Sequence, residues 1–206
     1  MIKIHECTQK SKEWFDLRIQ YPLTASKASA IGTAGKGLNT LCMNQMAEKY
    51  SSADKEYYSG KDTERGVELE PQAIAIYELK NGVEVEKIGF VTNEAISPVG
   101  GASPDGHVGE DGMVEVKCNN DTIHFAEMLE FKATGKFKIE SGHVWQMQMQ
   151  LLFTGRKWCD YIRFNPNYKE SLLVIRVFPD PVMQQKIITG LKLGENIINE
   201  IEAKLK

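Results

Sequence analysis

The segment from Gly112 to Cys118 alternates in the way that predicts a β-strand, and this restricts how the surrounding chain can fold. Residues two positions apart project from the same face of a strand, so Glu115 and Lys117 share one face and Val116 points to the other, toward a core. Three glycines between residues 105 and 113 predict a turn that folds the chain back before this strand. The turn carries Asp105 to the rim of the same sheet, beside Glu115.

The two carboxylates have two interpretations. Carboxylates within ~4 Å of each other repel by roughly 4 kcal/mol at an effective dielectric near 20. A bound Mg²⁺ relieves that repulsion and takes its other ligands from water and phosphate oxygens, while Lys117 can stabilise charge that develops on a phosphodiester. The alternative is an ordinary Asp-Gly turn and a strand whose Glu115 and Lys117 face solvent. The short pattern by itself leaves both interpretations open.

Length and composition bound the class of protein. The chain has 206 residues, 42% of them hydrophobic and 26% charged, which is typical of one globular domain. We expect a single domain over 1–206, with a helical part at about 1–80, a sheet core at about 83–178 and a terminal helix at about 181–206. No apolar run is long enough for a transmembrane helix, and the N-terminus lacks the apolar core of a signal peptide. Four widely spaced cysteines argue against a zinc ribbon and indicate a reducing intracellular compartment.

Capping and breaker residues place the elements around the motif. Helices are predicted at 11–19, 23–31, 38–50, 62–80, 121–133, 142–153 and 181–206, and strands at 83–91, 99–103, 113–118, 157–164 and 171–178. Ser11 and Thr24 are the expected N-caps of the first two helices, and Pro71 is expected to kink or restart the fourth. This order predicts an α/β fold with a mixed central β-sheet flanked by helices, and the terminal helix is expected to pack on the sheet.

Polar residues outside the motif strand are weaker candidates. Glu70 lies on the helix before the sheet, where it either leans over the rim that bears Asp105 or is solvated. Gln146 and Gln150 share one helical face, with Gln148 opposite, and such amides can orient a water or a phosphate or simply face solvent.

The remaining aromatic residues, methionines and histidines have ordinary explanations. Trp14, Trp145, Met147 and Met149 are interpreted as packing residues, and His5, His107 and His124 as surface residues.

Several separated segments together resemble the PD-(D/E)XK nucleases, and more closely the phage lambda exonuclease (YqaJ-like viral recombinase) family. They are Ser-Pro-Asp-Gly at 103–106, Glu-Val-Lys at 115–117 and Trp-Gln-Met-Gln at 145–148. The N-terminus agrees, because Trp14-x-x-x-Arg18 is followed by Leu-Thr-Ala-Ser at 23–26, and Arg65-Gly66 is followed by Glu70. The resemblance covers about residues 14–165 and implies a PD-(D/E)XK (restriction-endonuclease-like) core.

The resemblance also implies a role for each matched position. Asp105, Glu115 and the Val116 carbonyl correspond to the ligands of one Mg²⁺ or Mn²⁺, and Glu70 corresponds to the carboxylate that serves a second ion. Lys117 matches the catalytic lysine, and Gln146 the helix glutamine beside it. The positions that match groups binding DNA and its 5′-phosphate are Arg18, Thr24, Ser26, Lys36 and Ser103.

The family implies a metal-dependent 5′-to-3′ exonuclease on double-stranded DNA ends, which releases mononucleotides and leaves a 3′ overhang for recombination. A PD-(D/E)XK endonuclease and a non-catalytic DNA-end-binding module stay open as alternatives. The family also implies a homotrimeric ring, a single-strand annealing protein as partner, and a phage or prophage gene acting in the bacterial cytoplasm without a membrane. A net charge of −3 agrees with a ring, because one acidic subunit grips a polyanion weakly.

Overall fold

The computed structural model describes residues 1–52 and 61–205, so residue 206 of the predicted terminal helix lies outside the described part. The helices are α1 (Lys12–Gln20), α2 (Ala28–Thr33), α3 (Lys36–Tyr50), α4 (Lys61–Asn81), α5 (Asp121–Thr134), α6 (Ser141–Thr154) and α7 (Pro181–Lys204). The strands are β1 (Ile2–His5), β2 (Leu23–Thr24), β3 (Val85–Glu86), β4 (Phe90–Asn93), β5 (Gly100–Gly101), β6 (Gly106–Val108), β7 (Gly112–Cys118), β8 (Trp158–Phe164) and β9 (Leu172–Val177).

A five-stranded mixed sheet lies at the centre, in the order β3-β6-β7-β8-β9. β7 and β8 run parallel, with Glu115 opposite Tyr161, and the other neighbours are antiparallel. The hairpin from β6 to β7 turns at Gly109, whose φ of +54° is a left-handed conformation that glycine adopts without strain. The predicted mixed sheet and the predicted turn before the motif strand are therefore both confirmed.

Helices cover both faces of this sheet. On one face α4 buries Ala73 and Tyr77 against Val114 and Val116 of β7. On the other face α5 and α6 bury apolar side chains against the alternate positions of the strands; these residues are Met128, Met147, Leu151, Met113, Cys159 and Tyr161. Val116 therefore points into the core, as the alternation predicted, and Glu115 points toward α6.

The apolar face of α7 packs on α2 and α3, so the expectation that it packs on the sheet is wrong. Ile187, Leu191 and Ile198 are buried there in a separate helical core. The backbone of Ile31 lies directly over Gly190, so that α2 and α7 approach more closely than any side chain at 190 would allow. No helix in residues 1–52 and 61–205 is long and apolar enough to span a membrane.

Several predicted local features need correction. Residues 23–31 are not one helix, because Leu23–Thr24 pairs as a parallel strand with Gly100–Gly101 before a 3₁₀ turn leads into α2. Thr24 is extended, but its side chain makes no capping hydrogen bond. Pro71 does not restart α4, which runs continuously from Lys61 to Asn81. The predicted strand 83–91 is divided into β3 and β4, and β4 pairs with the N-terminal β1.

The expected surface position of His107 and His124 is also wrong. His124 is fully buried and its Nε2 lies 2.9 Å from the Glu170 carbonyl oxygen. His107 is buried beside Arg156. Burial is the main cause that lowers the pKa of His107 to about 4, and the Arg156 cation is the second. His5 is half-buried and bonds the Thr92 hydroxyl. These histidines are structural, because each meets a partner on a distant part of the chain.

Candidate active site

Glu115 lies at the centre of a polar cluster between β7 and α6. Its side chain is fully buried, yet both carboxylate oxygens are hydrogen-bonded: Oε1 accepts from the Lys117 ammonium and from Gln146 Nε2 at 2.7 Å. Oε2 accepts from Gln150 Nε2 at 2.7 Å. The interpretation in which Glu115 faces solvent is therefore wrong, because a carboxylate is buried only when charge and hydrogen bonds compensate its desolvation.

Asp105 reaches the same strand from the preceding turn. Its Oδ2 accepts a 2.6 Å hydrogen bond from the Val116 backbone N–H, and its own N–H donates to the Val114 carbonyl oxygen at 3.2 Å. These two bonds hold the turn against β7 and direct the carboxylate along the strand. Asp105 and Lys117 line a cleft of about 460 Å³ that also contains Glu70 from α4. The structure thus brings Glu70, Asp105 and Lys117 to one cleft, with Lys117 bonded to the buried Glu115.

The carboxylates of the cleft repel one another. Burial raises the pKa of Asp105 well above its usual range, and the Glu115 carboxylate adds to the rise while Lys117 opposes it. Burial also raises the pKa of Glu70, an effect that Lys10 opposes and Glu115 reinforces. For Lys117, burial lowers the pKa, but the Glu115 and Asp105 carboxylates outweigh it and raise the pKa above that of an ordinary lysine. Lys117 is accordingly an ammonium at neutral pH.

The donor set of the cleft fits a hard divalent cation. Within residues 1–52 and 61–205, no three His, Cys, Asp and Glu side chains are grouped closely enough to hold a metal ion by themselves. Mg²⁺ does not require such a cage, because it is usually bound by one or two carboxylates plus waters and substrate phosphates. Asp105 and Glu115 offer that number of carboxylates, and a bound cation would relieve the repulsion from Glu115 that adds to burial in raising the pKa of Asp105.

A second chain of contacts connects the residues predicted to bind the 5′-phosphate. Trp14 Nε1 donates to the Ser103 hydroxyl at 2.8 Å, and the Arg18 guanidinium lies over the Trp14 ring, 4.4 Å from its centre. Arg18 in turn donates to the Ser26 hydroxyl at 3.1 Å, which lies 3.3 Å from the Thr24 hydroxyl. Trp14 is therefore more than a packing residue, because its indole N–H and its ring orient two predicted phosphate ligands.

Lys36 stands apart from this chain of contacts. It is the first residue of α3 and is exposed. Its predicted role in DNA binding stays a prediction.

Local sequence explains how these groups are positioned. The Ser11 hydroxyl accepts a hydrogen bond from the Trp14 N–H at 3.3 Å and so caps the start of α1. Trp14 and Arg18 lie one turn apart on this helix. On α6 the i, i+4 spacing directs Gln146 and Gln150 to the same carboxylate. The helix ends at Gly155, whose φ is +69°.

Sequence reasoning missed several residues of the cleft. Lys10 lines it in a left-handed conformation with φ +69°, which is unusual for a residue with a side chain and has no signal in the sequence. His143, whose role the sequence by itself leaves open, also lines it, and its Nδ1 lies 2.8 Å from the Tyr161 hydroxyl. Arg163 lies at the cleft wall in a two-pronged ion pair with Glu127. Only tertiary contacts reveal these residues.

Comparison with known proteins identifies the family. Residues 13–157 match the YqaJ-like viral recombinase domain, which is more than two thirds of the chain. The chain belongs to the YqaJ-like viral recombinase family. The family motifs noted in the sequence fall in or near this range, from Trp14 to the α6 glutamines. No curated protein sequence matches the chain significantly.

Solved structures of exonucleases share the fold. An alkaline exonuclease (LHK-Exo) from Laribacter hongkongensis is 27% identical, with a TM-score of 0.77 over 95% of this chain and 98% of the other. The structure of LHK-Exo in complex with dAMP gives 28% identity, the same TM-score and the same coverage. A phage related exonuclease from Haemophilus somnus 129PT is 15% identical, with a TM-score of 0.66 over 89% of this chain and 96% of the other. The predicted PD-(D/E)XK fold, with a mixed sheet flanked by helices, is confirmed.

Proposed function

We propose that this YqaJ-family chain is a metal-dependent exonuclease that degrades one strand of double-stranded DNA from a 5′-phosphorylated end. The observation that carries the proposal is the fully buried Glu115, held by Lys117 and Gln146, with Lys117, Asp105 and Glu70 lining the adjacent cleft. A buried, charge-paired carboxylate is costly, so its presence beside further acidic groups indicates chemistry rather than stability. Likeness to an alkaline exonuclease over nearly the whole chain supports the same activity.

The residues of the cleft have distinct tasks in this proposal. Asp105, Glu115 and the Val116 carbonyl would hold one Mg²⁺ or Mn²⁺, and Glu70 would contribute to a second. When bound, such ions supply activation of a water and neutralisation of charge at the leaving oxygen. The Lys117 ammonium stabilises negative charge that develops on the phosphate, and Gln146 keeps Glu115 and Lys117 in position through the oxygen they share.

The second chain of contacts supports a preference for a 5′-phosphate. Arg18 and Ser26 already touch, and a terminal phosphate carries more charge than an internal diester, so it forms stronger charge-assisted hydrogen bonds with them. Thr24 and Ser103 complete the phosphate site, and Lys36 is assigned to more distant DNA. Release of one nucleotide at a time agrees with the relative that was solved with dAMP, since dAMP is a mononucleotide.

We propose a homotrimeric ring as the working assembly. With a formal net charge of −3, a single subunit binds DNA weakly. A ring that encloses the duplex stays on it without strong binding. Light scattering at micromolar concentration should report three chains; a stable monomer that digests long duplexes without dissociating would contradict the ring. The exposed 3′ strand is a substrate for a single-strand annealing protein, which we propose as partner in the cytoplasm of a bacterial host.

The decisive experiment uses duplexes labelled separately at each end. With Mg²⁺, a 5′ label on the degraded strand should leave at once as a mononucleotide, while a 3′ label on that strand stays in a shrinking fragment. A 5′-hydroxyl end should be digested more slowly, and EDTA should stop the reaction. Lys117→Ala should abolish hydrolysis but retain end binding, whereas Lys157→Ala, at an exposed ion pair with Asp111, should leave the rate unchanged.

Two other outcomes would contradict the proposal. Cutting of a supercoiled circular plasmid would indicate an endonuclease, because an end-dependent enzyme leaves a closed circle intact. Tight binding of DNA ends without any release of nucleotides in Mg²⁺ or Mn²⁺ would indicate a non-catalytic binding module.

A further inference from the structure

Gln150 connects the two halves of the site. It is fully buried on α6, and its Nε2 donates to Glu115 Oε2 at 2.7 Å and to the Ser103 carbonyl oxygen at 3.2 Å. Ser103, whose hydroxyl accepts a hydrogen bond from Trp14, belongs to the turn, and Glu115 belongs to the carboxylate cluster. One amide group therefore bridges the turn assigned to the phosphate and the carboxylate assigned to the metal.

The orientation of this amide is set by its neighbours. Both the Ser103 carbonyl and the carboxylate accept hydrogen bonds, so the –NH₂ group must face them. As a consequence, Gln150 Oε1 is buried without a hydrogen-bond partner among the described residues. A protein tolerates an unpaired buried oxygen only where other contacts compensate for it. The two donated bonds are the evident compensation.

The neighbouring glutamines show that this is a specific arrangement. Gln146 donates to Oε1 of Glu115 and Gln150 donates to Oε2, so each oxygen has its own amide and the carboxylate cannot rotate freely. Gln148, between them, is equally buried but bonds the Phe178 carbonyl and the Asp180 N–H, away from the cleft. The chain therefore contains a matched control for Gln150 on the same helix.

We infer that Gln150 is a positioning residue. It holds Glu115 at a set distance from the Ser103 turn, so that the metal-binding carboxylate and the phosphate-binding turn keep a fixed spacing. The inference rests on the proposed function of both groups. Gln150 itself touches neither substrate nor metal in this scheme; it acts through Glu115 and Ser103. Residues that orient metal ligands in this way typically contribute about 10–100-fold to metal affinity or activity.

The test compares Gln150→Met with Gln148→Met, since methionine keeps the volume and removes the amide. Two quantities are measured: Mn²⁺ affinity of the DNA-free protein by calorimetry, and the ratio of digestion rates on 5′-phosphorylated and 5′-hydroxyl duplexes. We expect Gln150→Met to weaken Mn²⁺ binding by roughly tenfold or more and to reduce the rate ratio. Gln148→Met should lower the thermal unfolding temperature but leave both quantities at the wild-type values.

Wild-type values for either quantity in a folded Gln150→Met protein would overturn the inference. If that variant does not fold, Gln150→Asn replaces it, because the shorter side chain keeps a polar amide but cannot reach both acceptors. A failure of the proposed function is recognised separately: the wild-type protein itself would then neither bind Mn²⁺ nor distinguish the two duplex ends.

Discussion

Replacement of Lys117 by methionine should expose the energetic cost of the buried carboxylate. Glu115 is completely inaccessible to solvent, and the Lys117 side chain is 27% exposed, so the pair lies largely outside water. Removing one partner of a buried ion pair typically costs about 3–5 kcal/mol. Because Gln146 and Gln150 still donate to Glu115, we expect the lower end of that range, about 3 kcal/mol.

Thermal and chemical unfolding in EDTA measure this cost without a contribution from metal. For a chain of this size, a loss of about 3 kcal/mol lowers the unfolding temperature by roughly 6–12 °C. Glu115→Gln in the same background should restore much of the loss, because it removes the unpaired charge, and the double-mutant cycle should give a coupling of about 2 kcal/mol. Lys157→Met, at an exposed ion pair, should change stability by less than about 0.5 kcal/mol.

The pH dependence provides a further check with a defined sign. The carboxylates raise the pKa of Lys117 above its value in the unfolded chain, despite the opposing effect of burial. The stability that Lys117 contributes is therefore fully present below the ordinary lysine pKa of about 10.4. It is lost only as the pH rises through the higher pKa of Lys117 in the folded protein. Lys117 itself therefore adds no pH dependence between about pH 6 and 9, and a change of the stability difference between wild type and Lys117→Met in that window reports Asp105 and Glu70, whose pKa values Lys117 lowers. A Lys117→Met protein as stable as wild type, or strictly additive effects in the cycle, would refute the reasoning.

Three further predictions concern other parts of the molecule. Burial and Glu115 raise the pKa of Asp105 in the folded protein, so metal-free wild type should lose stability relative to Asp105→Asn as the pH rises above about 4. A stability difference between the two proteins that stays constant in denaturant titrations from acid to neutral pH would contradict this. Arg18→Ala should slow digestion of 5′-phosphorylated ends and narrow their advantage over 5′-hydroxyl ends; an unchanged ratio of rates would exclude Arg18 as the phosphate ligand. Tyr77→Phe removes a 2.7 Å hydrogen bond to the buried Asp160 and should cost about 1–2 kcal/mol in urea unfolding, whereas Tyr50→Phe, at an exposed position, should cost nothing measurable.

Periodicity made the centre of the fold predictable. The alternation through β7 correctly assigned Val116 to the core and Glu115 and Lys117 to one face, because side chains on a strand can only alternate. The boundaries of α5 and α6 were predictable for a similar reason, since the capping Asn120 and the left-handed Gly135 and Gly155 act within a few residues.

Short strands and buried polar groups were not predictable in this way. Leu23–Thr24 forms a strand only because Gly100–Gly101, far along the chain, offers its backbone. His107 and His124 are buried only because Arg156 and the Glu170 carbonyl come to lie beside them. Nothing near these residues in the sequence records such partners.

The sequence by itself determined the motif strand, the carboxylates and lysine it carries, and the family to which the chain belongs, because those depend on local spacing and residue type. Only the tertiary structure decided that Glu115 is fully buried and that Gln150 joins it to the Ser103 turn. The physical reason is that burial and hydrogen-bond partnership are properties of contacts between β7, α6 and the turn. Those contacts exist only once the helix has packed on the sheet.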